Sequence, residues 1–389
     1  MPAALLSTAG AYTYARRRPE ATTLHQVVRE NLLTLYAAIE QGFASPLPAF
    51  VRDELEGYLD CGLLSRGFAL LKCENPDCRD KKLVAFSCKG RAFCPSCLGR
   101  RMAEASANLV DHVLPQVPLR QFVFTVPFEL RARLAYDGKL LGAVGRIFVD
   151  SVLGFYRRTM RDVFRVGTGQ SGAVTVVQRV SSDLRLNPHF HSIALDGVFV
   201  SNQDETLAFH RLPSLSNHDV AEILQTIRAR VVAFLERRGV IESRDEATLI
   251  DDGSAERDPA LAALASAAVG GAIPAGPERR ERPAIALRDA SGMRVASALS
   301  VAEGGFSLHA ATTAADHNAG REALCRSTLR PPLGRFSSMR TRPLSSRCNR
   351  SCAKLFAPIF RLTRRNDLDD GVQRLERYEL VCCVPKYLT

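Results

Sequence analysis

The sequence predicts an α+β fold, in which a small helical, cysteine-rich module precedes an antiparallel sheet flanked by helices. Three observations predict this fold class. Five cysteines fall between Cys73 and Cys97, with helical periodicity on either side of them. β-rich runs then alternate with long amphipathic segments. The pair Asp196-Gly197 is a strong hairpin signal, which favours antiparallel pairing.

The first third of the chain has the apolar spacing of three helices. Thr23 is predicted to cap the first helix, and Pro48 falls in the first turn of the second. Pro115 and Pro118 end the third. The predicted helices cover residues 23–41, 48–59 and 100–114.

The next part of the chain alternates strand-like and helix-like segments. The predicted strands cover residues 120–127, 173–180, 189–200 and 305–310, and the turn at Asp196-Gly197 interrupts the third. The predicted helices cover residues 139–163 and 218–238, the latter capped by Asn217, and a last helix begins near Asn318. We expect the helices to lie on one side of the sheet.

These patterns divide the chain into four parts. A flexible N-terminus (1–22) precedes the helical module (23–115) and a second domain (116–333). Within that domain, residues 251–305 are rich in Ala and Gly, which predicts a linker or loosely packed insert. The tail (334–389) has an atypical, scattered pattern and is expected to be poorly ordered.

Charge and hydropathy restrict the function classes. The net charge is +11. Residues 334–389 hold twelve Lys/Arg and five Asp/Glu and so contribute +7, which leaves only +4 for the rest of the chain. This balance allows a nucleic-acid partner without requiring one. No apolar run is long enough to span a bilayer, and the N-terminus lacks the core of a secretory signal. We therefore expect no membrane partner and a cytoplasmic location.

The cysteines predict a structural Zn²⁺ site. In a reducing compartment, clustered cysteines are more often metal ligands than disulfides. Two pairs, C-x4-C and C-x2-C, can surround one zinc ion tetrahedrally. The candidate ligands are Cys73, Cys78, Cys88, Cys94 and Cys97. The first two and the last two form the natural set of four, with Cys88 as a substitute, whereas Cys61 is expected to be a small core residue. The alternative is a set of free thiols.

Basic residues surround the cysteine cluster. A zinc module with basic side chains at its rim can bind phosphates. The candidate DNA-binding residues are Lys89, Arg91, Arg100 and Arg101. The alternative is a solvated basic face without a ligand.

Two histidines predict a second metal site. His189 and His191 lie in the segment Asn187-Pro-His-Phe-His191. On a strand, side chains two residues apart point to the same face. Histidine is the commonest metal ligand in proteins, so this pair forms half of a catalytic metal site. Two satisfied or solvated histidines are the alternative.

A third ligand is less clearly specified. Gln178 is the main candidate, because it lies on the face of its strand that also carries Val174 and Val176, where an amide needs a partner. A glutamine bonded to the backbone is the alternative. His309 is a reserve candidate. Asp196 faces away from the histidine pair in regular alternation and is expected to serve the turn.

Three motifs appear in a specific order and spacing: Ser87-Cys-Lys-Gly-Arg-Ala-Phe-Cys-Pro-Ser-Cys97, Gln121-Phe-Val-Phe-Thr-Val-Pro127 and Asn187-Pro-His-Phe-His191 with Asp196-Gly197. Together they resemble the insertion-sequence ninety-one family of rolling-circle transposases, over roughly residues 10–333. The resemblance implies a zinc-binding domain followed by a catalytic domain of the HUH endonuclease type.

The resemblance also implies a mechanism. In the family, the two histidines hold a divalent ion, Mg²⁺ or Mn²⁺, which polarises a phosphate of single-stranded DNA. A tyrosine on a nearby helix attacks and leaves a covalent 5′-phosphotyrosine. The implied partner is the single-stranded end of a mobile element, and the implied location is the bacterial cytoplasm, in association with the nucleoid.

One position departs from the family pattern. The segment Leu324-Cys-Arg-Ser-Thr-Leu-Arg-Pro-Pro332 has Ser327 where the family has the nucleophilic tyrosine, and the resemblance ends after residue 333. Ser327 is therefore the candidate catalytic residue. Two hypotheses follow: a transposase that nicks and joins single-stranded DNA, or a catalytically decayed transposase remnant that binds DNA without cleaving it.

Overall fold

The computed structural model describes residues 18–42, 46–73, 81–91, 94–165, 169–181, 185–202, 206–243, 247–251, 253–270, 293–315, 318–330, 372–375 and 378–383. The chain divides into two compact units. Unit 1 comprises Met1–Gln41, Pro46–Cys97 and Phe336–Thr389, and unit 2 comprises Gly42–Ser45 and Leu98–Arg335. The sequence placed the main boundary later, at residue 115.

Unit 1 begins with two amphipathic helices, α1 (Thr23–Glu40) and α2 (Ala49–Asp60). The N-cap of α1 is Thr22, whose side chain accepts a hydrogen bond from the His25 amide at 3.4 Å. The predicted cap, Thr23, is therefore wrong by one residue, because Thr22 is the last residue with extended backbone. Strands β1 (Phe68–Cys73) and β2 (Lys81–Ala85) follow and pair in an antiparallel ladder.

The third helix, α3 (Pro95–Asn108), begins earlier than predicted. Its first turn contains the Cys-Pro-Ser-Cys motif, with Pro95 at the first helical position, where a missing N–H costs nothing. The helix continues as one π-helical segment over Leu109–Val113 and ends at Leu114.

Unit 2 is built on an antiparallel sheet that confirms the predicted α+β class. The strands of unit 2 are β3 (Leu119–Thr125), β4 (Ala173–Val180), β5 (Leu186–Leu195), β6 (Gly197–Ser201), β7 (Leu207–Arg211), β8 (Ile241–Ser243), β9 (Ala247–Leu249), β10 (Arg294–Ser297), β11 (Ser300–Glu303) and β12 (Phe306–Ala314). The central sheet has the order β10-β11-β12-β3-β5-β4. The helices of unit 2 are α4 (Leu130–Tyr136), α5 (Gly138–Phe164), α6 (Asn217–Arg237), α7 (Ser254–Arg257), α8 (Pro259–Gly270) and α9 (Asn318–Thr328).

Helices cover both faces of this sheet. On one face, Phe124 and Phe190 pack with Phe148 of α5, and the rings of Phe124 and Phe148 are 5.2 Å apart. On the other face, Leu119 and Ile193 pack with Leu324 of α9. The expectation that helices lie on one side is wrong, because the central strands β3 and β5 carry buried apolar side chains on both faces of the sheet.

Close packing fixes the position of α5. A Cβ atom at Gly145 would lie 2.8 Å from Cε1 of Phe190, which is shorter than a real contact. Only a glycine therefore lets the helix approach the sheet this closely.

The turn at Asp196-Gly197 is a bend and not the predicted hairpin. Strand β6 pairs with β7 in a separate two-stranded sheet instead of folding back on β5. The Asp196 amide donates to the Pro118 carbonyl at 2.8 Å, and its carbonyl accepts from the Leu212 amide at 2.9 Å. A Cβ atom at Gly197 would lie 2.2 Å from the His210 carbonyl oxygen, because the backbone of β7 packs directly against this glycine.

Two further predictions in unit 2 need correction. The cap of α6 is Ser216, which forms a capping box with Asp219, and Asn217 instead accepts a hydrogen bond from the Leu299 amide at 2.7 Å. The segment 251–305 is more ordered than a linker where it is described. It contains α7, α8, β10 and β11, and Val301 of β11 is fully buried in the core.

The tail contributes strands to unit 1. Strands β13 (Val372–Leu375) and β14 (Tyr378–Cys383) extend the β1–β2 ladder into the order β13-β14-β1-β2. The sequence predicts a poorly ordered tail, whereas these ten residues form strands. Among the helices of the described segments, none is both long and apolar enough to cross a membrane.

A buried ion pair joins β3 to the bend after β5. Arg120 Nε lies 2.7 Å from Asp196 Oδ1, and a second guanidinium nitrogen lies 3.1 Å from Oδ2. The remaining nitrogen donates to the Ala310 carbonyl of β12 at 2.9 Å. The two side chains are 8% and 2% exposed. The guanidinium thus satisfies the carboxylate and a carbonyl of a third strand together.

We predict that Asp196→Ala destabilises the protein by about 3–5 kcal/mol, because it leaves the Arg120 guanidinium buried without its counter-ion. Urea denaturation measures the change. Arg158→Gln is the matched control, since its ion pair with Glu222 is 47% and 45% exposed and should be worth no more than about 1 kcal/mol. Equal losses for the two variants would contradict the prediction.

Candidate functional site

Four thiols meet in unit 1. The sulfur atoms of Cys61, Cys88, Cys94 and Cys97 all lie within 4.8 Å of one another. The distances are 3.5 Å from Cys94 to Cys61, 3.5 Å from Cys88 to Cys97 and 3.7 Å from Cys61 to Cys97. All four are free thiols.

Local structure brings each thiol to this point. Cys61 is the C-cap of α2, Cys94 directly precedes α3 and Cys97 lies in its first turn. Cys88 follows β2 in a tight turn, in which Lys89 has a positive φ of 53° and the Gly90 amide donates to the Cys88 sulfur at 3.4 Å. A Cβ atom at Gly90 would lie 2.4 Å from Glu54 Oε2, so a larger residue there would displace that carboxylate.

The cluster fits a zinc ion. Tetrahedral Zn–S bonds of about 2.3 Å place the sulfurs about 3.8 Å apart, close to the distances found here. Hydrogen bonds from Cys61, Cys88 and Cys94 lower the pKa of the Cys97 thiol, whereas the bond with Cys61 raises the pKa values of Cys88 and Cys94. Hydrogen bonds from Cys88 and Cys94 also lower the pKa of Cys61, so the cluster favours negative charge at two of its sulfurs, and a bound cation would let all four ionise.

Unit 2 carries the histidine pair. His189 and His191 lie on one face of β5, and their ring centroids are 4.9 Å apart. In the antiparallel register, His189 lies opposite Gln178 of β4 and Thr125 of β3. Thr125 in turn hydrogen-bonds Ser307 of β12. A polar row, Gln178-His189-Thr125-Ser307, therefore crosses four strands on this face.

The protonation state of His189 is set by its backbone. Its Nδ1 lies 2.7 Å from the Asn187 carbonyl oxygen. Because a carbonyl can only accept, Nδ1 carries the proton and Nε2 keeps its lone pair. His189 is thus held in the tautomer that binds a metal through Nε2.

His191 is tied to helix α9 through Gln121. The amide nitrogen of Gln121 lies 3.2 Å from His191 Nδ1 and donates to Thr328 Oγ1 at 2.7 Å. Gln178 donates to the Thr328 carbonyl at 3.0 Å. Two glutamines on the histidine face therefore hold the last residue of α9.

Burial keeps both imidazoles neutral. Desolvation lowers the pKa of His191 to about 4, with a smaller contribution from the charge of His189. Desolvation also lowers the pKa of His189, and the positive charge of Arg131 adds to this effect. Neutral rings are the form that binds metal ions.

The comparisons with known proteins address both units. A model described as "Transposase zinc-binding domain" matches residues 33–126, and one described as "Putative transposase" matches residues 172–350. The chain belongs to the insertion-sequence ninety-one family of transposases. A curated relative, "Transposase for insertion sequence element IS801" from Pseudomonas savastanoi pv. phaseolicola, is 30% identical over 154 residues. That match covers 39% of this chain and 35% of the relative, about a third of its length. No solved structure matches the chain.

The zinc-binding domain of this family member confirms the predicted class of metal site, but the ligand set differs from the natural set of the sequence. Cys61, expected to be a core residue, is both buried and part of the cluster. Cys78 lies outside the described residues, as does the side chain of Cys73, so their ligation stays a prediction. The sequence carries no local signal for Cys61 as a ligand, because it lies 27 residues before Cys88 and only the fold brings it into the cluster.

The predicted DNA-binding residues lie on two elements. Lys89 and Arg91 flank Gly90 in the turn after Cys88, and both are exposed. The Arg91 amide donates to Glu54 at 2.6 Å. Arg100 and Arg101 lie on α3 beyond the unit boundary. Their role in DNA binding stays a prediction.

The other predicted site residues fall around the histidine pair. Gln178 lies on the face of His189, as expected, and its amide nitrogen bonds the backbone of Thr328. Its amide oxygen remains able to bind a cation. His309 shares the face, but Val123 of β3 lies between it and His191, so His309 is two strands away from His191. Strands are about 4.8 Å apart, so His309 is about 10 Å from β5.

Ser327 lies in the last turn of α9 and is exposed. Its hydroxyl donates to the Leu324 carbonyl at 2.8 Å. The neighbouring Thr328, and not Ser327, contacts the residues of the histidine face. Sequence reasoning missed Gln121 and Thr328, because their contact joins residues 207 positions apart.

We predict that Cys61→Ser and Cys94→Ser each lose bound zinc, because each removes one of four thiolates from a closed site. Zinc content of protein purified without chelator measures this. Cys325→Ser is the matched control, a buried free thiol of unit 2 that should leave zinc content unchanged. Cys73→Ser and Cys78→Ser test the two remaining ligands of the sequence prediction. Full zinc content in Cys61→Ser would exclude the observed cluster as the site.

We predict that the metal-free protein loses stability as the pH falls from about 6.5 to about 4. The folded-state pKa of His191 lies below the unfolded value of 6.5, so the unfolded chain binds the proton first in this window. Above it both states are neutral and the effect is absent. Urea denaturation over a pH series measures the change. His191→Gln should flatten the dependence, and an ordinary His191 pKa by NMR titration would contradict it.

Proposed function

We propose that the chain acts as a transposase that nicks and rejoins single-stranded DNA by the rolling-circle route. The observation that carries the proposal is the histidine pair, two neutral imidazoles 4.9 Å apart on a polar face of a sheet. Membership of the transposase family supports the reaction class. The 5′-phosphotyrosine linkage and the single-stranded substrate are implied by the family resemblance of the sequence motifs.

The donors around the pair fit a divalent ion. His189 would bind through Nε2, because its Nδ1 proton is committed to the Asn187 carbonyl. Gln178, directly opposite on β4, would add an amide oxygen. Imidazoles alone suit zinc as well, whereas an oxygen ligand favours Mg²⁺ or Mn²⁺. Such an ion would polarise the phosphodiester and stabilise the charge that develops on it.

Gln121 would orient His191 in the same site. Its amide nitrogen donates to Nδ1 when that atom is unprotonated, and its amide oxygen accepts when Nδ1 carries the proton. The second arrangement leaves Nε2 of His191 with a lone pair. Rotation of the Gln121 amide by a half turn would select the tautomer that a metal ligand requires, with loss of the bond from its nitrogen to Thr328 Oγ1.

The nucleophile side of the site supports a second candidate function, a remnant that binds DNA without cleaving it. Ser327 has a shorter reach than a tyrosine, and its described hydrogen bond goes to a helix carbonyl instead of a base. Tyr156 is fully buried beside the Arg120–Asp196 pair, and burial raises the pKa of its hydroxyl. It is therefore a core residue and not a substitute nucleophile.

The deciding experiment measures a covalent adduct. The full chain is incubated with labelled single-stranded DNA and manganese, and denaturing gels show any protein-linked label. Under the proposed function we expect a feeble adduct from the native sequence, because an unactivated Ser327 hydroxyl is a weak nucleophile, and a strong gain in Ser327→Tyr, which places a phenol at the family's nucleophile position. Adding His189→Ala to that variant should abolish the gain. No adduct from the native sequence would favour the remnant that binds DNA without cleaving it.

Two outcomes would change this conclusion. A strong adduct in the native sequence that is lost in Ser327→Ala would make the serine a nucleophile. A strong adduct that survives Ser327→Ala and disappears on mutating Tyr378 or Tyr387 would place the nucleophile in the tail, where nothing is described of these side chains.

A further inference from the structure

His25 is a buried polar residue of unit 1 that belongs to neither metal site described above. It lies in the first turn of α1 and is 4% exposed. Its amide donates to the N-cap residue Thr22, which fixes the backbone at the start of the helix. Its ring packs against the Tyr58 ring of α2, with 5.8 Å between the centroids. The matched zinc-binding domain begins later, at residue 33, so the family match does not include this histidine.

The imidazole of His25 is hydrogen-bonded to the end of α2. Its Nε2 lies 3.0 Å from the Leu59 carbonyl oxygen, across 34 residues of sequence. Because a carbonyl can only accept, Nε2 carries the proton and Nδ1 has a lone pair. A side chain of α1 thus donates to the backbone of α2.

The Leu59 carbonyl is in the last turn of α2, where carbonyls lack the amides that bond them in a helix interior. The two amides that follow at suitable spacing are directed elsewhere. The Gly62 amide donates at 2.9 Å to the carbonyl of the residue after β2, and the Leu63 amide donates at 3.3 Å to the Asp60 carbonyl. His25 therefore supplies the donor that the end of this helix does not provide.

The other ring nitrogen makes histidine an unfavourable choice for packing alone. Nδ1 of His25 is buried and has no hydrogen-bond partner among the described residues. An unsatisfied buried acceptor is destabilising, and a phenylalanine would fill a similar space without one. The donor at Nε2 is the property that a phenylalanine could not supply.

The bonded carbonyl lies two residues before a thiol of the cluster. Cys61 leaves α2 with extended backbone, at φ −66° and ψ 111°. Its sulfur lies 3.5 Å from that of Cys94 and 3.7 Å from that of Cys97. The start of α3 holds those two thiols, whereas Cys61 comes from a different helix. Its place in the cluster depends on where α2 ends and on the direction in which the chain leaves it.

We propose that His25 is a positioning residue for the zinc site, whose Nε2–H holds the last turn of α2 so that the Cys61 sulfur stays within ligand distance of the ion. The side chain acts through the Leu59 carbonyl and is not itself a ligand. Groups that orient metal ligands typically contribute about 10–100-fold to metal affinity. The inference concerns unit 1 and is independent of the reaction proposed for unit 2.

Zinc release from the full chain into excess chelator tests the proposal. We expect His25→Phe to release zinc about tenfold faster than the native chain, because it keeps a ring but removes the donor. His25→Gln should stay within about twofold of the native rate, since its amide nitrogen can donate from the place of Nε2. His112→Phe, at an exposed histidine of unit 2, is the matched control and should leave the rate unchanged.

Cysteine alkylation of the zinc-loaded chain, over times short compared with zinc release, separates positioning from a general loss of stability. In His25→Phe, peptide mapping should show faster labelling of Cys61, while Cys94 and Cys97 keep their native rates because α3 still holds them. Equal acceleration at all three thiols, with a lower melting temperature, would make His25 a packing residue only. Fast labelling of Cys61 in the native zinc-loaded chain would show that its sulfur is not a ligand and would overturn the inference.

Two further results would contradict the role of the hydrogen bond. One is a native release rate in His25→Phe, and the other is a release from His25→Gln as fast as that from His25→Phe. Nitrogen NMR of the native chain provides a check that needs no variant. The His25 ring should carry its proton on Nε2, and a proton on Nδ1 would exclude the bond to Leu59.

Discussion

The two-residue period of β5 is the constraint on which unit 2 depends. This strand lies between β3 and β4, so neither of its edges is free. Phe190 points into the aromatic core under α5, and its two neighbours in sequence point to the other face, where they form the histidine pair. A shift of one residue in register would exchange the core residue with the site residues. The hydrophobic core and the chemistry are therefore fixed by the same hydrogen-bonded ladder.

Much of this arrangement follows from local sequence patterns. The strand over 173–180 and the long helix near 139–163 were predictable because their periodicity extends over many residues. The shared face of His189 and His191 was predictable for the same reason. The hairpin at Asp196-Gly197 was not, because a bend and a hairpin use the same dipeptide, and the choice depends on Arg120, Leu212 and other distant partners. Helix α4 was missed because it has only two turns.

Cysteine spacing in the sequence predicts only part of the thiol cluster. The C-x2-C pair was predictable, since one turn of helix and its cap bring both thiols together. Cys61 is 27 residues from Cys88, and only the packing of α2 against the start of α3 brings it into the cluster. In the same way, Gln121 meets Thr328 across 207 residues of sequence. Contacts of this kind depend on the tertiary fold, and a single sequence carries no local signal for them.

The fit of Gly145 against Phe190 has a consequence for genetics. Even one added methyl group at that glycine must push the phenylalanine, whose backbone neighbours on either side are the two histidines. Overpacking of a full core costs about 1–3 kcal/mol. A loss-of-function screen of this chain would then score position 145 alongside the histidines, although it lies on the opposite face of the sheet from them. Selection that preserves the position of the histidine pair would therefore preserve that glycine as well.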